Sequence, residues 1–239
     1  MKYFELHTLY NVAKIVYHPE FKEGDLIMGS QELVVKDLSY HKIHTQQIKA
    51  SGKLQDFYSP SSNLSSRLIV STKAKTLLES FRKDNIRFYP CPVIRGKEPV
   101  EGYWITDKII FDDDVIDFEN SIFEFIDVTY LGGEVSKLEN YNEKITEMKF
   151  SNAGLLWDFK KNRQNHLNRI HPKKIIIRDT CILPILNFKT IGVFYLIVSE
   201  ELKNELQKQK MDKGIEFKPL EIPDEEWYGP NSLRKQFYN

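Results

Sequence analysis

Aspartates and glutamates outnumber lysines and arginines by twelve to three across residues 107–147, and Asp112, Asp113, Asp114 and Asp117 form the densest part of that run. Carboxylates this close have three uses. They can coordinate a divalent cation, present a negative surface to a basic protein, or sit as a solvated turn. A metal-dependent hydrolase or nuclease built on Asp112–Asp117 also needs ordered ligands from several elements and a basic or histidine partner, and the local sequence offers no such pattern. A recognition surface asks for less, because negative charge alone speeds association with a cationic partner. On that reading Asp112, Asp113, Asp114, Asp117, Glu119 and Glu124 are the expected partner-binding residues.

A second charged run has the opposite sign and contains Lys160, Lys161, Arg163, Arg169, Lys173, Lys174 and Arg178. It lacks the interleaved aromatics that stack bases. Nucleic acid is therefore not expected, and a solvated face or an internal partner for the acidic run is the preferred reading. His166 and His171 are five residues apart, off a common helical face, and His41 and His44 have no cysteine or carboxylate beside them to complete a site. No nucleophile elbow, phosphate loop or dinucleotide fingerprint occurs. Neither a catalytic residue, a cofactor nor a metal is assigned.

Bulk properties agree with a folded protein. The 239 residues carry 34 basic and 34 acidic side chains, so recognition must come from local patches and not from a global field. Charges interrupt the N-terminal Met1-Lys2-Tyr3-Phe4-Glu5 run before it resembles a leader, and no apolar stretch is long enough to span a bilayer. Cys91 and Cys181 each lie in an apolar stretch and fit neither a disulfide framework nor a zinc site. These features lead us to expect a cytoplasmic chain with two buried thiols.

The elements that must position these residues are most legible in two places. Residues 67–70 read as a strand, Ser71 as a helix N-cap, and Ala74, Leu77, Leu78 and Phe81 as one apolar helical face. Asp84-Asn85 stops the helix before Ile86, Phe88 and Pro90. The same order returns at residues 195–198, with Ser199 as cap, Glu200 and Glu201 in the first turn, and Leu202 and Leu206 on one face. Gly214 is expected to end that helix in the left-handed conformation, before Ile215, Phe217 and Pro219. Chance recurrence and an ancient duplication both account for the likeness.

Elsewhere, residues 3–6 and 33–35 read as short strands, and 59–63 as a loop and domain boundary. Residues 102–111 and 121–131 read as half-buried strands, the second ended by Gly132-Gly133. Residues 152–169 read as a helix, and 174–177, 181–186 and 191–198 as further strands. Helices alternate with strands too rarely for a parallel α/β sheet, so the expected class is α+β, with a mixed, mostly antiparallel sheet core. The expected organisation is an irregular N-terminal region packed on the core (1–64), the core itself (65–222), and a tail (223–239). The aromatic residues Trp227, Tyr228, Phe237 and Tyr238 are expected to dock that tail on the body or on a partner.

Residues 68–125, with Ile86-Arg87-Phe88-Tyr89-Pro90, Tyr103-Trp104 and Val115-Ile116-Asp117-Phe118-Glu119-Asn120-Ser121, resemble immunity family eleven of bacterial polymorphic toxin systems. The closing run is similar to that family's last strand, helix and strand: Phe194-Tyr195-Leu196-Ile197-Val198-Ser199-Glu200-Glu201-Leu202, then Gly214-Ile215-Glu216-Phe217-Lys218-Pro219-Leu220. The likeness covers about residues 65–222. It implies a cytoplasmic protein without catalysis that binds and blocks a cognate toxin, delivered by kin or encoded by an adjacent gene. It carries over no catalytic or contact residues.

Overall fold

The sequence places apolar residues on alternate positions in short runs between turns, and the chain answers with many short strands. The structure is a computed structural model that describes residues 1–22, 42–60, 64, 67–134, 136–163, 165–192 and 195–238. The strand expected at 33–35, residues 61–63 of the expected loop, and His41 lie outside the described residues. In chain order the strands are β1 (Tyr3–Thr8), β2 (Lys14–Val16), β3 (Thr45–Ile48), β4 (Phe57–Tyr58), β5 (Ile69–Ser71), β6 (Ile86–Pro90), β7 (Val93–Arg95) and β8 (Glu98–Val100). They continue with β9 (Tyr103–Lys108), β10 (Ile122–Tyr130), β11 (Tyr141–Met148), β12 (Arg169–Lys174), β13 (Ile185–Leu186), β14 (Leu196–Ser199) and β15 (Ile215–Pro219). The helices are α1 (Thr72–Phe81), α2 (Ala153–Lys161), α3 (Glu200–Lys208) and α4 (Asp224–Tyr228).

Four sheets form, ordered β13-β14-β1-β15, β4-β5-β9-β6, β2-β3-β7-β8 and β11-β10-β12. Among the named strands of the described residues every pairing is antiparallel except β3 with β7. The fold class is α+β, as the sequence indicates.

The first two sheets share one design. In each, two parallel strands joined by a helix (β5-α1-β6 and β14-α3-β15) flank a central strand antiparallel to both, which is β9 in one and β1 in the other. A short strand, β4 or β13, completes the edge. Ser71 and Ser199 cap their helices with nearly equal backbone angles, φ −68° and −69° with ψ 161° in both, and each hydroxyl accepts from the amide three residues on. The repeated unit seen in sequence is thus a repeated sheet topology. The central strand of the second copy comes from the opposite end of the chain.

That exchange bears on domain organisation. Since β1 is the middle of the β13-β14-β1-β15 sheet, and β3 and β4 pair with β7 and β5, the N-terminal region supplies strands to three sheets instead of lying upon a finished core. α1 and α3 face a common core with Phe4, Leu6, Val70, Leu78, Leu202 and Phe217. Alternate residues of the same strands feed the flanking cores: Ile69 and Ile105 pack toward the β2-β3-β7-β8 sheet, and Tyr3 and Ile197 toward Phe123, Phe150 and Leu156 beneath α2.

Several expectations need correction. α2 stops at Lys161, and the chain turns before Arg169 opens β12, so the helix expected over 152–169 is half that length. Asn152 caps it, and its Oδ1 accepts from the Leu155 amide at 2.9 Å. Strand structure lies at 169–174, not 174–177, and the strands expected at 181–186 and 191–198 shrink to β13 and β14. α3 ends at Lys208, and Lys210, not Gly214, takes the left-handed conformation that closes it: Lys210 has φ 58°, its amide bonds Gln207 O, and the Met211 amide bonds Leu206 O at 2.9 Å. This closing turn buries Met211 against Leu206. Gly214, at φ 81°, instead makes the turn into β15, where a Cβ would meet the Tyr10 ring at 2.3 Å.

The tail lies on the body. Trp227 is buried, and its Nε1 donates to Glu216 at 2.7 Å. The Tyr238 hydroxyl accepts from the edge amide of Phe217 at 2.8 Å.

Candidate partner-binding surface

The acidic residues singled out in sequence do not form one surface. Asp112 is 4% exposed and lies inside the fold. Arg82 Nη1 donates to its Oδ2 at 3.0 Å and Nη2 to its Oδ1 at 2.9 Å, and the Asn187 amide adds a third bond at 3.1 Å. Asp112 is therefore not available to a partner, which corrects its place in the expected set. Asp113 accepts from the amides of Lys189 (3.2 Å) and Thr190 (2.9 Å); burial pushes its carboxyl above the usual aspartate range and these bonds pull it back. Asp117 accepts from the Asn120 amide group (2.7 Å) and backbone (3.2 Å), and the side-chain bond holds it below the usual range. Asp114 and Glu119 are exposed. Glu124 is the exception in place and partner: it stands on β10 and pairs with Lys173 of β12 at 2.8 Å.

The basic run resolves in the same way. Lys173 also holds Glu147 at 3.2 Å and Glu225 at 2.7 Å, and Arg169 pairs with Glu143. Lys160 donates to Thr190 O at 2.5 Å, and Arg163 bonds the carbonyls of Lys160 and Asn168. Much of it is an internal partner for acidic residues and loop carbonyls. Among the described residues, no group of three or more histidine, cysteine or carboxylate side chains is placed to hold a metal ion. Cys91 and Cys181 are buried and unpaired, and burial pushes the Cys91 thiol up to about 12.

Sequence reasoning missed two features. One is a charged seam on the β1-β15 face beneath the tail, where Glu5, Glu216 and Lys218 are buried. His7 bonds Glu5 at 2.8 Å and stacks on Tyr195 with ring centroids 3.8 Å apart, and Lys218 reaches Asp224 at 2.7 Å. Alternating charge in β1 and β15 was its signal. Lys218 with Asp224, and Glu216 with Trp227 and Arg234, fasten the tail to the seam.

The other feature is an arm. β10 and β11 pair along their length, from Phe123↔Met148 to Tyr130↔Tyr141, and Gly132 and Gly133 turn the chain at the tip with φ 99° and 103°. β11 is an edge strand, six of its eight residues are exposed, and its outer edge has no partner strand among the described residues. Leu131 (64% exposed), Leu138 (89%) and Ile145 (58%) lie bare along the arm, and Leu155 and Trp157 stand exposed on α2 nearby in sequence. Single exposed apolar residues are ordinary, and here three of them lie on one hairpin. An unpaired edge is a template for another chain's strand. Residues 141–148 escaped notice because Ile145 is the only aliphatic residue before Met148, so no buried face shows in the pattern.

Behind the arm, β10 and α2 enclose a groove of about 740 Å³ lined by Phe125, Asp127, Phe150, Leu155, Asp158 and Phe159. No protein-family model matches this sequence. No curated protein matches it either.

Proposed function

We propose that this chain is an immunity protein: it binds a cognate toxin, encoded by an adjacent gene, and neutralises it by stoichiometric contact in the cytoplasm. Two things support the reading. The sequence of residues 65–222 resembles immunity family eleven, and the β10–β11 arm offers exposed apolar side chains beside an edge that no strand among the described residues pairs. The arm is the observation that carries it, since an edge strand with Ile145 and Leu138 bare to solvent invites association unless a partner covers it. The contact surface is accordingly the arm and its groove; Glu124 stands on β10 but is tied to Lys173 and does not line the groove.

Against the alternative, a metal-dependent hydrolase using Asp112–Asp117, stand the contacts that three of those carboxylates already make. Asp112 is tied to Arg82, Asp113 to two backbone amides, and Asp117 to Asn120. No helix among the described residues is long and apolar enough to cross a membrane.

Co-expression tests the proposal. Cells expressing the product of the neighbouring toxin gene are expected to survive only with this protein present. Survival lost on Ile145→Lys with Leu138→Asp, at unchanged protein level, supports the arm; no protection by the native chain sinks the immunity reading.

A further inference from the structure

The groove behind the arm combines an aromatic floor with carboxylate walls. Phe125 of β10 meets Phe159 of α2 edge-on with centroids 5.2 Å apart, and Phe150 meets Phe159 at 5.6 Å. Asp127 stands two residues from Phe125, hence on the same face of β10, and Asp158 rises from α2 on the other wall. Both carboxylates are exposed, and neither has an ion pair among the described residues, although Lys144 sits directly across from Asp127 in the strand register. Arg163 also lines the groove, with its Nε on Lys160 O at 3.0 Å and Nη1 on Asn168 O. The lining keeps a negative balance of two carboxylates to one guanidinium.

We propose that this groove receives an arginine side chain of the partner polypeptide. The inference rests on reading the chain as a protein-binding module. A guanidinium lies flat on an aromatic face and is weakly hydrated, so it gives up water at small cost. Its five donors form a planar fork that serves carboxylates on two sides, which a lysine ammonium on a flexible stem does less well. The volume of about 740 Å³ holds that side chain with some of the backbone that carries it.

Nuclear magnetic resonance titration of the full chain with N-acetyl-arginine amide tests the assignment, with the citrulline and norleucine amides as controls. Saturable shifts are expected at the amides of Phe125, Asp127, Asp158 and Phe159 with the arginine probe alone. They should weaken about tenfold or more in the Asp127→Asn/Asp158→Asn variant, as when one partner of a charged contact is removed. Equal binding of norleucine amide would make the groove an apolar slot, and shifts that follow protein concentration would make it a self-association face. Either result, or no shift at all, overturns the assignment. Both carboxylates are exposed, so the variant is expected to fold; were its spectrum to collapse, each single variant replaces it.

A second arm separates this inference from the functional one. If the adjacent toxin binds native protein and the double variant equally, the groove assignment falls and the immunity reading stands. If arginine amide binds and no toxin does, the reverse holds.

Discussion

Arg82 grips Asp112 with two parallel hydrogen bonds, 3.0 Å and 2.9 Å, where both side chains are shut off from solvent. The pair joins the end of α1 to the turn before β10, and Arg82 Nη1 also donates to Ile185 O at 2.7 Å, tying in β13. A residue that reads in sequence as part of an acidic surface is a clamp between the two similar sheets.

Removing Asp112 strips two hydrogen bonds from a buried guanidinium and leaves it the solvent-exposed Asp84, 2.9 Å from Nε, as its ionic partner. Asp112→Ala is expected to lower stability by about 3 kcal/mol. Asp114→Ala, two residues on and exposed, is expected to stay within about 0.5 kcal/mol. Urea midpoints for the two variants check the contrast; equal losses would show that Asp112 is not held as described.

The caps give a second contrast. Ser71 and Ser199 occupy equivalent places in the repeated unit, so Ser71→Ala and Ser199→Ala should each cost about 1 kcal/mol. Ser71 is additionally bonded to Asp56 at 2.5 Å, so its variant is expected to lose the more. Thermal unfolding of both variants measures the order.

These caps also show what was legible in the sequence. Ser71 and Ser199 were readable because a strand, a capping hydroxyl and a helical apolar face are local signals within a few residues. The sheet order was not. No local pattern states that β1 enters between β14 and β15, or that Lys210 and not Gly214 takes the left-handed turn. The site was less legible still. Asp112 and Asp114 look alike in sequence, and their environments differ through Arg82, thirty residues away. β11 shows no alternating apolar face because its side chains are left to solvent among the described residues, and the feature that hid it is the one on which the proposed contact surface rests.

Lys108 sets a pH dependence. It is buried, its Nζ donates to Tyr195 O at 3.1 Å, and burial lowers its pKa to about 7. Between pH 7 and about 10, the unfolded chain keeps that proton and the folded chain does not, so stability from this group rises with pH across the window. Below pH 7 both states are protonated and the contribution is flat. Lys108→Met is expected to stabilise the protein near pH 6 and to flatten the rise, as read from denaturant midpoints between pH 6 and 10.

The arm should separate folding from binding. Leu138 and Ile145 are bare to solvent, so Leu138→Asp and Ile145→Lys are expected to change stability by no more than about 0.5 kcal/mol. Affinity for the toxin should fall by tenfold or more, as at a central apolar contact. Circular dichroism melts and calorimetry on the same samples provide both readings.

Titrating the purified toxin of the adjacent gene with this protein, while following toxin activity, tests the account most directly. Activity is expected to fall linearly to zero at one molar equivalent, with a one-to-one complex recovered intact. Complete inactivation by a small fraction of an equivalent, or full activity in the presence of excess protein, would contradict it.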